Sequence, residues 1–244
     1  MAFVSLAGLV RGSKRSLASM AGESSSAIAG IVFDMDGCLT KQGAIDFAEM
    51  RRRAQIPPKA DILKHIASLP AEESARSMAA VLEVEAEGIK RMELRDGLDE
   101  LFDFLDKNRL RRALLTRNTH LAIDQFLSLS EKYFHEAFDR SFEPPKPSPA
   151  ALLEICNRWK TRPENVVMIG DHSDDIQCGR SAGAMTIQIL DQIMPGDEHR
   201  DHSLTIPDYT VASLPEMKEV LEQIIADRET EEAEAGMEST MQGA

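Results

Sequence analysis

The hydrophobic pattern of the chain is organised around short apolar runs that each stop at polar residues. The first run, residues 29–33, is apolar at every position, which is typical of a strand buried on both faces. Two carboxylates follow it directly. Further strands of this kind are predicted at residues 112–116, 137–141, 165–169, 184–190 and 209–211.

Amphipathic periodicity predicts helices between these runs. Leu98, Leu101, Phe102 and Leu105 recur at the helical spacing of three to four positions. Helices that alternate with apolar strands indicate right-handed crossovers and a parallel sheet covered on both faces. The chain is therefore predicted to be an α/β protein with a Rossmann-like parallel sheet core. Its other core helices are predicted at residues 119–128, 149–160, 174–182 and 214–226.

The segment 41–95 interrupts this alternation, because it contains no convincing strand. Prolines mark the joins between its helices, which are predicted at residues 47–54, 59–69 and 71–92. An insertion after the first strand would form a small all-helical cap over the strand ends. The α/β core would then comprise residues 28–40 and 96–226.

The two ends of the chain differ in composition from the rest. Residues 1–22 contain no Asp or Glu, and the basic and Ser-rich composition of the 1–27 segment resembles an organelle transit peptide. The alternative is a disordered extension that carries no targeting signal. A transit peptide would direct the protein to the mitochondrial matrix or another organelle matrix, and the alternative location is the cytoplasm. Residues 227–244 carry six acids and one base, which predicts an acidic disordered tail.

Composition narrows the function classes. A chain of 244 residues accommodates one α/β domain with an insertion. A formal net charge of −13 argues against a nucleic-acid-binding surface, and no apolar run is long enough to span a membrane. Cys38, Cys156 and Cys178 fit neither a disulfide framework nor a zinc site.

The two carboxylates after the first strand are Asp34 and Asp36, and Gly37 follows them. Ligands of open α/β sheets bind outside the carboxyl ends of the strands, and a glycine allows the sharp turn that brings both acids to one opening. Two carboxylates about 4 Å apart repel by roughly 4 kcal/mol at an effective dielectric of about 20. A metal cation, a shared proton or a lysine would offset that repulsion. The alternative is a plain Asp-rich turn.

Polar groups at two other places are predicted to lie at the same edge. Thr116, Arg117 and Asn118 follow a strand, where a hydroxyl and free backbone N–H groups form an oxyanion cradle. The alternative for Thr116 is a helix N-cap. Lys146 lies in a proline-rich loop that would fix its ammonium as a counter-charge for phosphate, the alternative being a solvated lysine.

A third group of acids begins with Gly170 and Asp171 after an apolar strand, and Asp174 and Asp175 follow where a helix starts. Hard oxygen ligands at this spacing suit Mg²⁺. The alternative is a helix N-terminus rich in Asp for dipole reasons. The spacing favours Asp175 over Asp174 as the residue that faces a metal.

In combination these motifs resemble the four sequence motifs of the haloacid dehalogenase superfamily. They are Asp34-x-Asp36-Gly-x-x-Thr40, Thr116 after a strand, Lys146-Pro, and Gly170-Asp171-x-x-x-Asp175, in this order over residues 29–190. The helical insertion resembles the C1-type cap of that superfamily. The overall likeness is to its phosphoglycolate-phosphatase-like branch.

The resemblance implies a Mg²⁺-dependent phosphatase that acts through an aspartyl-phosphate. Asp34 would be the nucleophile, and Asp36 the general acid and base. The phosphate-binding residues would be Thr116, Arg117, Asn118 and Lys146. The metal would be held by Asp34, the main-chain carbonyl of Asp36, Asp171 and Asp175.

Two other functions keep part of this set. A phosphomutase would use all of these residues, whereas a noncatalytic Mg²⁺ or phospho-ligand binding protein would not need the nucleophile. Asp36 favours phosphoryl transfer over dehalogenation, because an alkoxide leaving group needs a proton. A small phosphorylated metabolite is the expected partner. No nucleic acid and no membrane are expected, and monomer and homodimer both remain open.

The insertion and its entry contain candidate substrate-binding residues, namely Thr40, Arg51, Arg52 and Arg53. The alternative for the three arginines is a solvated helix face. Cys38 lies two residues beyond Asp36, a position where oxidation would inhibit the site, although a small buried side chain needs no role.

Overall fold

A computed structural model describes residues 28–190 and 205–242. The segment 1–27, with its predicted extension, and the last two residues lie outside the described part. Six strands form one sheet: β1 Gly30–Phe33, β2 Arg111–Leu115, β3 Glu136–Phe138, β4 Val166–Gly170, β5 Met185–Ile189 and β6 Tyr209–Val211. All neighbours are parallel, in the order β3-β2-β1-β4-β5-β6.

Eight helices accompany the sheet in the described ranges. They are α1 Phe47–Arg53, α2 Ile62–Ser68, α3 Ala71–Ile89, α4 Leu98–Lys107, α5 His120–Ser130, α6 Ala150–Trp159, α7 Ser173–Ala182 and α8 Leu214–Gln242. Within the parts of the chain that the structure describes, no helix is long and apolar enough to cross a membrane. The predicted α/β fold class is confirmed.

Alternation along the central strand builds the two layers of the core. Ile31 and Phe33 pack in one buried cluster with residues of α4, α5 and α8, whereas Val32 packs in a second cluster with residues of α6. Both faces of β1 are therefore buried, which explains why its sequence is a continuous apolar run. Phe33 aligns with Leu114 of β2 and with Ile169 of β4, so the three strands end at one edge.

The insertion between β1 and α4 consists of helices α1 to α3. It has a small hydrophobic core of its own, formed by Met50, Ala54, Ile56, Ile66, Val81 and Val84. Its two connections to the sheet lie side by side, because Thr40 forms an antiparallel bridge with Leu94 and the Arg95 N–H donates to the Leu39 carbonyl at 2.9 Å. The insertion is thus attached through one paired hinge segment.

The carboxyl-terminal helix corrects one expectation. The sequence predicts a helix that ends near residue 226 and a disordered tail over 227–244, but α8 continues to Gln242. Local interactions explain the difference: Ala and Glu favour the helix, and Arg228 lies 4.0 Å from Glu231 at the i,i+3 spacing. Low hydrophobicity prevents burial, but it does not prevent a helix from forming.

We expect Phe102→Ala to lower the free energy of unfolding by about 3–5 kcal/mol. Phe102 is 1% exposed, and its ring stacks on the ring of Phe33 with centroids 6.1 Å apart. Phe33 is the residue directly before Asp34. Phe47→Ala is the control, because Phe47 is 55% exposed and should cost less than about 0.5 kcal/mol. Urea unfolding measures both values, and equal losses would contradict the assignment of the core.

Candidate active site

A tight turn after β1 positions the first two acids. The Met35 carbonyl accepts from the N–H groups of Leu39 and Thr40, at 2.9 and 3.0 Å. Gly37 has φ +74, and a Cβ built there would lie 2.2 Å from Oδ2 of Asp171. Gly37 therefore provides both the left-handed backbone conformation and the space for a carboxylate.

Thr40 belongs to the same turn. Its side chain is completely buried, and its hydroxyl donates to the Met35 carbonyl at 3.2 Å. The expectation that Thr40 binds substrate is therefore wrong, because its one donor stabilises the turn and the side chain is not accessible.

Lys146 neutralises two of the acids. Its Nζ lies 2.6 Å from Oδ1 of Asp34 and 2.5 Å from Oδ1 of Asp175, and all three side chains are buried. Burial alone would lower the pKa of Lys146, but the charges of Asp175 and Asp34 more than offset it and raise the pKa. For Asp34, burial raises the pKa, and the positive charge of Lys146 counters part of that increase. The sequence prediction of a fixed ammonium at this edge agrees with the structure.

Asp171 adds a third carboxylate. Asp34, Asp171 and Asp175 each place one oxygen within 4.8 Å of the others. Burial, followed by the charge of Asp175, raises the pKa of Asp171 to about 7. Three carboxylates beside one ammonium leave a formal excess of two negative charges, which a divalent cation bound by hard oxygen ligands would offset.

The helix start after β4 separates the two candidate acids. Asp175 is 1% exposed, and its Oδ2 accepts from the His172 N–H at 3.0 Å in a capping box. Asp174 instead accepts from Arg117 at 3.1 Å. The capping geometry thus aims Asp175 into the acid cluster and turns Asp174 away from it.

Asp36 faces a different neighbour. Its Oδ2 accepts from Nδ2 of Asn118 at 2.9 Å, and the Asn118 N–H donates to the Thr116 hydroxyl oxygen at 3.1 Å. Burial raises the pKa of Asp36, and the hydrogen bond from Asn118 and the charge of Lys146 partly counter that increase. The side chain of Asp36 is therefore held apart from the three-acid cluster, next to the segment predicted as an oxyanion cradle.

Arg117 differs from its predicted role as a phosphate ligand. Its two terminal nitrogens donate to Asp174 at 3.1 Å and to Asp61 at 2.8 Å. Asp61 is the N-cap of α2, so Arg117 connects the core to the insertion. Because both carboxylates already hold the guanidinium, the phosphate-binding role predicted for Arg117 is corrected to a bridging one.

The three arginines of α1 are also corrected. Arg51 donates to backbone carbonyls of the insertion, Arg52 pairs with Glu49, and Arg53 pairs with Glu49 and Glu87. Arg52 and Arg53 lie three and four positions after Glu49, and this helical spacing places their side chains beside its carboxylate. Their hydrogen bonds stabilise the insertion, and none of these bonds reaches the acids of the site.

Sequence reasoning did not find several residues at the site. Gln42 donates to Oδ2 of Asp171 at 3.2 Å, and Arg95 donates to the Gly37 carbonyl. Glu85 of α3 pairs with Arg140. Strand β3 ends at Phe138 and not at residue 141 as predicted, so Arg140 lies in the loop that follows the strand. No sequence signal pairs residues that are 55 positions apart.

The geometry defines a class of protein. A parallel α/β sheet with a buried carboxylate–ammonium pair at its edge, a second carboxylate nearby and a cluster of acids is the arrangement of an enzyme active site.

Comparison with known proteins identifies the family. A family model for haloacid dehalogenase-like hydrolases matches residues 28–183, more than half of the chain. A haloacid dehalogenase-like hydrolase domain-containing protein of Arabidopsis thaliana is 36% identical over 219 residues, which cover 85% of this chain and 89% of that protein. An uncharacterized hydrolase of Saccharomyces cerevisiae is 32% identical over 203 residues, covering 81% and 92%. The chain belongs to the haloacid dehalogenase-like hydrolase family, as its motifs predict.

Solved structures share the fold. A predicted phosphoglycolate phosphatase of Haemophilus somnus superposes with a TM-score of 0.61 at 15% identity, over 80% of this chain and 98% of that one. A β-phosphoglucomutase of Clostridium difficile superposes with a TM-score of 0.65 at 18% identity, over 82% and 98%. At such identities the likeness establishes the fold alone.

We expect Gly37→Ala to lower the free energy of unfolding by about 3 kcal/mol, from about 1–2 kcal/mol for the left-handed backbone and a further clash with Asp171. Gly43→Ala is the matched control, because Gly43 has φ +91 and open space around its Cβ position. It should incur only the backbone cost. Urea unfolding of both variants measures the difference, and equal destabilisation would show that Gly37 has no role in accommodating Asp171.

Proposed function

We propose that the protein is a Mg²⁺-dependent phosphatase that hydrolyses a small phosphate monoester through an aspartyl-phosphate. The observation that carries this proposal is the pairing of Asp34 with Lys146 at 2.6 Å, with Asp36 two residues away and bonded to Asn118. This set provides a nucleophile, a fixed cation and a separate acid. Uncatalysed monoester hydrolysis is so slow that all three are useful.

The first step is attack by the Asp34 carboxylate on phosphorus. The bond between phosphorus and the leaving oxygen breaks, and Asp36 donates its proton to that oxygen. The raised pKa of Asp36, caused by burial, favours the protonated form that this step requires. Lys146 compensates charge on Asp34 and on the phosphoryl group, and Thr116 lies where its hydroxyl can hold a phosphoryl oxygen.

The second step releases phosphate. The Asp36 carboxylate removes a proton from water, the water oxygen bonds to phosphorus, and the bond between phosphorus and Asp34 breaks. Asp36 is again protonated and Asp34 is again a carboxylate, so both residues return to their starting states. The contact with Asn118 keeps Asp36 close to the leaving oxygen through both steps.

The acid cluster fits the proposed metal. Asp34, Asp171 and Asp175 supply three hard oxygen ligands with more negative charge than Lys146 offsets. Magnesium bound there would neutralise charge on the transferring phosphoryl group. The insertion, joined to the core through Arg117, would act as the cap that limits access to small phosphorylated metabolites.

Asp34→Asn tests the nucleophile. We expect hydrolysis of an aryl phosphate in Mg²⁺ to fall by about 10⁴-fold or more, and acid quenching to trap no phosphoryl-enzyme. Asp36→Asn should lose about 10²- to 10⁴-fold, since it removes proton transfer but keeps the nucleophile. Glu87→Gln, a change in the insertion at a partly exposed residue that pairs with Arg53, should leave turnover unchanged. Comparable turnover in wild type and Asp34→Asn would refute the aspartyl-phosphate route.

Magnesium should stabilise the fold. At about 100 times its dissociation constant it would add about 2.7 kcal/mol, which corresponds to several degrees in the melting temperature. Asp171→Asn should melt above wild type in a chelator, because one repelling charge is gone, and should gain less from Mg²⁺. Thermal scans with chelator and with MgCl₂ measure both effects, with Glu87→Gln as the control. An equal Mg²⁺ response in Asp171→Asn would exclude that residue as a ligand.

A further inference from the structure

A partly buried ion pair joins the insertion to the edge of the sheet. One guanidinium nitrogen of Arg140 lies 2.5 Å from Oε1 of Glu85, and the Glu85 residue is only 8% exposed. The pair is incompletely satisfied, since Oε2 of Glu85 and Nε of Arg140 are buried and have no hydrogen-bond partner among the described residues. A buried carboxylate oxygen without a donor is costly, so it points to a missing group.

The pair lies beside the reacting groups. The backbone N–H of Arg140 donates to the Asn118 carbonyl at 3.0 Å, and the Asn118 side chain donates to Asp36. Arg140 also lines a small cavity together with Thr116 and Lys146. Burial raises the pKa of Glu85, Arg140 partly counters this, and the negative charge of Asp36 raises it further.

The position of the pair decides which part of a substrate would meet it. Asp36 is the proposed proton donor to the leaving oxygen, so a group next to Asp36 on the insertion side faces the alcohol and not the transferring phosphoryl group. The pair offers one free acceptor, Oε2 of Glu85, and one free N–H donor on Arg140. Its two charges cancel.

We infer that Glu85 and Arg140 form the leaving-group site of this enzyme, and that the leaving group is an uncharged alcohol carrying at least one further hydroxyl. This inference rests on the proposed phosphatase function. A hydroxyl both donates and accepts, so one substituent satisfies Oε2 of Glu85 and the Arg140 N–H together. A leaving group with a carboxylate or a second phosphate would place its negative charge against the Glu85 carboxylate. The site therefore selects polyol phosphates and rejects relatives whose leaving group carries a second anionic group.

Three-carbon phosphates with different leaving groups test the inference. Glycerol 3-phosphate carries a hydroxyl on the middle and on the far carbon, 3-phosphoglycerate keeps the middle hydroxyl but has a carboxylate at the far end, and propyl phosphate carries neither group. We expect wild type to have a kcat/KM for glycerol 3-phosphate at least about 10-fold above both others, because each loses hydrogen bonds to charged groups. An aryl phosphate serves as the reference substrate, and its turnover reports the proposed phosphatase function independently.

Two variants act in opposite directions on the anionic substrate. Relative to the aryl phosphate, Glu85→Gln should lower kcat/KM for glycerol 3-phosphate about 10-fold and raise it for 3-phosphoglycerate, since a negative charge is removed. Arg140→Gln should lower both, because it leaves Glu85 unpaired. Glu87→Gln, on the same helix but paired with Arg53, should change neither ratio.

The outcomes separate the two proposals. A merely structural role for the pair would lower all substrates together, and opposite signs for 3-phosphoglycerate would not arise. If wild type hydrolyses the aryl phosphate but prefers 3-phosphoglycerate, or if neither variant changes a substrate ratio, the leaving-group site is wrong and the phosphatase function stands. Absence of turnover on every phosphate would overturn both. Each variant is judged separately, so a failure of one to fold leaves the other decisive.

Discussion

The arrangement of the acids at the candidate site depends on the ion pairs of Lys146. One buried ammonium lies between Asp34 and Asp175, which are far apart in the sequence, and its positive charge offsets part of the negative charge that these two carboxylates bring together. Removal of its charge would leave an uncompensated cluster of acids, and buried charge of that kind costs several kcal/mol. The same contact orients Asp34, so the requirement of stability and the requirement of chemistry are met by one side chain.

The parallel sheet supplies the second constraint. Because β1 lies between β2 and β4 in register, the residues that follow each strand emerge at one edge within a few ångströms. Close packing there leaves no space for side chains at Gly37 or Gly170, where a Cβ would meet Asp171 or Asp175 at 2.2–2.3 Å. The acids are thus crowded by the backbone itself, and the Lys146 ammonium offsets part of the repulsion that the crowding creates.

Arginines show how the structure distributes charge. Five arginines near the site or in the insertion have partners that differ: Arg51, Arg52 and Arg53 stabilise α1, Arg117 joins the core to α2 through Asp61, and Arg140 pairs with Glu85 of α3. Two ion pairs therefore connect the insertion to the core beside Asp36. Under the proposed function, an insertion attached in this way would present its own side chains to the leaving group.

The sequence by itself determined the α/β fold, the helical insertion and the place of the acids, because strand periodicity, glycine and strand-end acids are local signals. It also identified Lys146 and favoured Asp175 over Asp174. It did not reveal the burial of Thr40 or the partners of Arg117, and it placed a coil where α8 continues. It gave no sign of Glu85 with Arg140. Ion pairs between distant residues depend on how segments pack, and only the tertiary structure brings their charges within reach of each other.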